Sequence, residues 1–148
     1  MNTKQIFRIL AKKCKPTFIG VFARNRLPKH LPVHHRPIMF VYNTDPAHKV
    51  GQHWIAMYFD RNGTAEYFYS FGMPPSTYPI FEKYLNTHST SWTYNNKQLQ
   101  SIVSKFCGHY VVMYCLFKNL NFSMNSIINC FTDDTGLNDT IANSVVSV

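Results

Sequence analysis

Cys107-Gly108 stands where a polar run beginning at Gln98 meets an almost unbroken apolar segment, Tyr110 to Phe117. The apolar segment predicts a helix buried on all sides, which puts Cys107 in its first turn. Backbone N–H groups there lack intrahelical partners, and the helix dipole favours negative charge. A thiolate is the charge such a place would stabilise. Gly108 removes a side chain beside the sulfur and lets a ligand approach the backbone. Most buried cysteines are inert, so Cys107 becomes chemically interesting only in company with a histidine. His53 opens the run His53-Trp54-Ile55-Ala56-Met57-Tyr58-Phe59, which reads as a strand. A histidine at a strand's start sits at a sheet edge where loops converge, and Trp54 would shield one side of it from water. A cysteine at a helix N-terminus and a histidine at a strand mouth are the parts of a thiol nucleophile with its base. Attack on a carbonyl builds an oxyanion that needs donors. The backbone N–H of Cys107 is one, and the side-chain amide of Gln100 is available as another.

The elements that must position these residues follow from hydrophobic periodicity and turn signals. Thr3 to Cys14 is an amphipathic helix with Ile6, Phe7, Ile9 and Leu10 as its apolar stripe, Thr3 as N-cap and Pro16 beyond its end. Phe18 to Ala23 reads as an apolar link, short for a strand, and Arg24 to Pro37 as an extended surface loop. Pro37 to Tyr42 is a buried strand. A polar loop follows over 43–51 with Asp45 and His48, then a strand from Gln52 to Phe59. Asp60-Arg61-Asn62-Gly63 is a hairpin turn, and Thr64 to Phe71 returns as a third strand. Tyr78 to Asn86 is a helix. Ser91 to Tyr94 and a stretch near Leu99 are short strands. The Cys107 helix runs to about Asn119, and Ser123 caps a last helix through Phe131. The tail from Thr132 is weakly patterned, with Ile141, Val145 and Val146 able to pack as one more turn. The fold class expected is α+β, a small mostly antiparallel sheet with helices segregated in sequence.

The chain has 148 residues, enough for one domain over 1–148 with a real core. Fifteen Lys and Arg against seven Asp and Glu give +8, which favours polyanionic partners such as nucleic acid or simply serves solubility. The four cysteines show no CxxC pairing and no metal-ligand spacing, so neither a metal site nor a disulfide framework is expected. Cys115 and Cys130 read as core filler, and His34-His35 lacks the cysteine or acid pair of a metal site. The N-terminal stretch has no apolar core of a signal peptide, and the longest apolar run is about half a bilayer crossing. A protein kept in a reducing interior, not secreted and not in a membrane, is expected.

At the histidine and cysteine blocks the chain resembles the adenovirus-type maturation proteases, relatives of the SUMO-deconjugating cysteine proteases. It resembles most the version carried by Maverick/Polinton transposons and adintovirus-like elements. The resemblance is carried by His53-Trp54 followed by a hairpin, and by the aromatic return strand Tyr67-Phe68-Tyr69-Ser70-Phe71-Gly72. Gln100 stands seven residues before Cys107-Gly108. Phe18 to Pro28 and Val41 to Pro46 match as upstream blocks. It implies a papain-like, adenain-like fold with the central helix starting at Cys107. It implies His53 as general base, Cys107 as nucleophile, Gln100 as oxyanion donor, and Trp54 and Gly108 beside the substrate. The reaction implied is peptide-bond cleavage near small residues such as glycine, through a thioester, in viral or transposon-encoded precursor polypeptides. It implies no resident cofactor, but DNA or a short peptide as activator; the cysteine that tethers that peptide in the adenoviral enzymes has no clear match here. A monomer in the host nucleus or virus factory, and inside the virion, is the expected setting.

One position departs from the family. Where it keeps an Asp or Glu behind the histidine, this chain has Tyr69. A tyrosine oxygen accepts an N–H bond but supplies no full charge. Glu66 points to the opposite sheet face from Tyr69, and the sequence alone places neither Asp45 nor Asp60 against His53. Three readings stand: an active cysteine endopeptidase, with a deconjugase of ubiquitin-like proteins as a variant; a degenerate binding module that cleaves slowly or not at all, motivated by Tyr69; and a nucleic-acid-binding protein with an incidental thiol.

Overall fold

The computed structural model describes residues 1–45 and 53–147. Most of the polar loop expected over 43–51, including His48, and the expected first strand residue, Gln52, lie outside them. The order is α1 (Thr3–Lys13), β1 (Phe18–Phe22), β2 (Ile38–Asn43), β3 (Trp54–Phe59), β4 (Thr64–Phe68), α2 (Pro79–His88), β5 (Ser91–Tyr94), α3 (Cys107–Asn119), α4 (Met124–Ile128) and α5 (Thr135–Val146). The strands form one sheet in the order β1-β2-β3-β4-β5. The fold is α+β, but the sheet is mixed. The central pairs β2–β3 and β3–β4 are antiparallel, while the outer pairs β1–β2 and β4–β5 are parallel.

Alternation along the central strands builds two cores. Met39, Val41, Trp54, Ala56 and Phe68 face α1, α3 and α5. Their neighbours Phe40, Tyr42, Ile55, Met57 and Tyr67 face the other way, onto Phe81 and Leu85 of α2. Burial on both faces explains why β2 reads as a continuous apolar run, with all six residues buried. The sheet therefore lies between helices, with α1, α3 and α5 on one face and α2 on the other.

Several boundaries differ from the reading, each for a local reason. The cap of α1 is Asn2, whose side chain accepts from the Gln5 N–H while Gln5 Oε1 accepts from the Asn2 N–H. That reciprocal box outcompetes Thr3. The apolar link Phe18–Ala23 is β1, hydrogen bonded to β2 and hence a true strand. No strand forms near Leu99. The N–H groups of Leu99 and Gln100 both donate to the Ser70 carbonyl at 2.8 and 3.1 Å, a two-pronged anchor rather than a ladder. The tail is a full helix, α5, capped by Asp134. Its inward face carries the buried polar residues Asn138 and Asp139, which masked the period. Asn138 Nδ2 donates to the Leu99 carbonyl and Asp139 accepts from the Tyr110 hydroxyl. Cys130, expected in the core, is exposed.

α3 is buried on nearly every side, with Tyr110 to Cys115 all inside. It is tied to β4 by Glu66, which accepts from the Tyr114 hydroxyl at 2.8 Å and from Lys118 Nζ at 2.9 Å. The ammonium also lies 4.4 Å from the Tyr58 ring centroid. Each charge therefore has polar partners, the condition under which a buried ion pair is tolerated.

Candidate active site

His53 sits just ahead of β3, and its carbonyl accepts from the Thr44 N–H at 3.1 Å, which extends the β2–β3 pairing past Asn43 and Trp54. Cys107 is the first residue of α3. The two lie far apart in the chain, yet both line one cavity of about 480 Å³ together with Trp54, Gln100, Ser104, Lys105 and Met1. Sequence reasoning proposed His53, Cys107, Gln100 and Trp54 for a site, and the structure brings these four to one concavity.

Burial pushes the Cys107 thiol up from its ordinary value, opposed by backbone N–H groups of Trp54, Gly108 and Cys107. The donors expected at a helix start are present, but desolvation outweighs them, so the predicted thiolate stabilisation does not prevail. Burial also lowers His53 below its ordinary 6.5, with the charge of Asp45 pulling the other way. Both shifts favour a resting pair that is neutral thiol and neutral imidazole. His53 Nδ1 is buried and has no hydrogen-bond partner among the described residues.

Tyr69 adjoins that imidazole without bonding to Nδ1. Its ring lies 5.8 Å from the His53 ring, edge-on, and Phe71 lies at 5.3 Å on a similar footing. The Tyr69 proton is held tightly, first by burial and then by Tyr78 and Cys107. Position 69 thus walls the histidine in aromatic surface and contributes no charge.

Gln100 is almost wholly buried and its amide is fixed at both ends. Oε1 accepts from the Ser70 hydroxyl at 2.6 Å, and Nε2 donates to the Ser104 carbonyl and hydroxyl, each at 3.1 Å. Ser70 sets which end of the amide is the donor, a role sequence reasoning passed over although it sits in the quoted Ser-Phe-Gly. Gly72 has φ +71°, and a Cβ there would lie 2.5 Å from the Lys97 carbonyl carbon. The turn after β4 is thereby pressed against the backbone that leads to Gln100, a close approach only glycine permits.

Gly108 serves a different end from the one expected. A Cβ at this position would lie 2.8 Å from Met1 Cβ and 3.3 Å from Trp54 Cδ1. The space it leaves is filled by the chain itself, and Trp54 Nε1 donates to the Met1 carbonyl at 3.2 Å across it. Gly108 lets Met1, Ile6 of α1 and Trp54 of β3 close onto α3. Asp45 was weighed in the sequence but could not be placed there against His53. It lies two residues past Asn43, at the mouth where His53 enters β3, and only three-dimensional pairing reveals that.

No group of three or more His, Cys, Asp or Glu suited to a metal occurs among the described residues. No helix there is long and apolar enough to cross a membrane.

No protein-family model matches the chain. No curated protein matches it either. Among solved structures, it is similar to the central domain of the uncharacterized Lpg1148 protein from Legionella pneumophila, with TM-score 0.58 and 13% identity, covering 99% of this chain and 93% of that one. That likeness concerns the fold alone. The chain also aligns with the Se-Met ASFV pS273R protease at 28% identity and TM-score 0.46, over 72% of this chain and 44% of that one. It thus spans less than half the length of that protease chain, and a superposition this loose does not establish a shared fold.

Proposed function

We propose that the chain is a cysteine peptidase that cleaves polypeptides through a Cys107 thioester. The observation that carries this is the convergence of His53, Gln100 and Cys107 on one cavity. In this reading neutral His53 takes the Cys107 proton as Sγ adds to the scissile carbonyl. The oxyanion is met by the Cys107 N–H and, as it releases the Ser104 hydroxyl, by Gln100 Nε2, whose orientation Ser70 fixes. Collapse breaks the C–N bond, and the imidazolium returns its proton to the leaving amine. Water, deprotonated by His53, then hydrolyses the thioester and frees the thiol. A neutral pair makes His53 a general base at the moment of attack, as in serine enzymes, rather than the partner of a preformed thiolate.

The resemblance extends this to substrates cut near small residues such as glycine, in precursor proteins of a virus-like element within the host cell. A deconjugase of ubiquitin-like tails is the same chemistry on another substrate. DNA as a polyanionic activator agrees with the +8 charge. A peptide activator rests on the resemblance alone.

A second reading, a binding module that has lost catalysis, is favoured by a specific observation: Nδ1 of His53 has no partner among the described residues, and Tyr69 brings no charge. An electrophilic peptide probe ending in glycine separates the two. The parent protein is expected to be labelled, Cys107→Ala not at all, and His53→Ala at least about a hundredfold more slowly. A folded parent that stays unlabelled would favour the binding module instead.

A further inference from the structure

A second concavity, of about 720 Å³, lies away from Cys107, between α1 and β1. Its floor is apolar, made by Phe7, Ala11 and Val21, and Phe7 remains 50% exposed. Its rim is cationic: Lys4, Arg8 and Lys12 stand one helical turn apart in an i, i+4 row, and Lys15 follows past the helix end. None of these four makes an ion pair among the described residues, and α1 itself contains no carboxylate. The Phe7 ring, tilted against Phe18 at 6.1 Å between centroids, still leaves half of itself in water beside these four cations, and nothing in the Cys107 chemistry uses this patch.

We infer that this groove docks an acidic polypeptide segment carrying an apolar side chain, which seats on Phe7 while its carboxylates meet the α1 cations. The spacing suits such a partner. Four residues of helix rise about 6 Å, and alternate side chains of an extended peptide repeat about every 6.6 Å. A row of acids on one edge of an extended segment therefore meets the Lys4, Arg8, Lys12 row nearly in step. Phosphates offer nothing to its apolar floor. The site is independent of the peptidase reading, since the opposite flank of α1, through Ile6, is the one that packs near Gly108.

The test uses the full chain and fluorescence anisotropy with three labelled probes: a ten-residue peptide alternating Glu and Ser with one central Leu, the same peptide with Ser for the Leu, and a single-stranded oligonucleotide. The Leu peptide is expected to bind about fivefold more tightly than its Ser counterpart. Arg8→Glu with Lys12→Glu should weaken it at least about tenfold. Phe7→Ser should erase the difference between the two peptides. All these side chains are exposed, and circular dichroism of each variant checks that α1 persists. Absence of saturable peptide binding overturns the inference. So does equal affinity for the two peptides with tighter binding of the oligonucleotide, which would make the groove a general polyanion surface.

Discussion

The charge of Asp45 is the one that reaches His53, and it acts against burial. Its removal has a definite sign. In Asp45→Asn the imidazolium loses its one stabilising neighbour, so the His53 pKa falls further below 6.5. In the proposed reaction only the neutral base accepts the thiol proton, so the acidic limb of the rate of Cys107 labelling should move to lower pH. Labelling followed from pH 4.5 to 8 checks this. An unmoved limb in a folded variant would separate Asp45 from the imidazole. The histidine and the cysteine were legible in the sequence because their types and neighbours advertise them. Asp45 and Ser70 were not, because each acts through a partner that only the folded chain brings near. Cys107 shows the limit of local reasoning: a helix start does supply donors, but the burial that overrides them comes from distant elements.

At the level of elements, the turn Ser70-Phe71-Gly72 acts as a clamp. It receives the Leu99 and Gln100 N–H groups, donates to Gln100 Oε1, and lies against the Lys97 backbone. Gly72→Ala meets both a positive φ and backbone atoms that cannot rotate away. It should destabilise the fold by about 2–4 kcal/mol, read as a lower urea midpoint, and should slow probe labelling by displacing Gln100. A variant of parental stability would mean the turn is free to shift. Long periodic elements were read well, α3 with its expected bounds, and so was the four-residue β5. Elements whose identity depends on pairing were not. β1 is too short to declare itself until β2 lies beside it, and α5 hides its period behind Asn138 and Asp139, which are buried because Leu99 and Tyr110 bond to them.

At the scale of the whole fold, three histidines among the described residues, His53, His88 and His109, have their pKa values lowered chiefly by burial. In the unfolded chain each titrates near 6.5. As pH falls through that value the unfolded state takes up protons that the folded state still refuses, so stability is lost on acidification and is complete only above it. Equilibrium urea unfolding at pH 7.5 and 5.5 should give the lower midpoint at 5.5. An equal or higher midpoint at 5.5 would contradict the burial of these rings. The net charge of +8 adds self-repulsion that the same acidification increases.

Cys107 belongs to the packing beneath α1 and α5, whereas His53 is enclosed by Tyr69 and Phe71 on the side of α2. The sulfur and the ring therefore share one cavity only while both helical coats are seated on the sheet. Loosening either coat would part them while most backbone hydrogen bonds survive, so reactivity of this thiol is a gauge of tertiary assembly that fails before the secondary structure does.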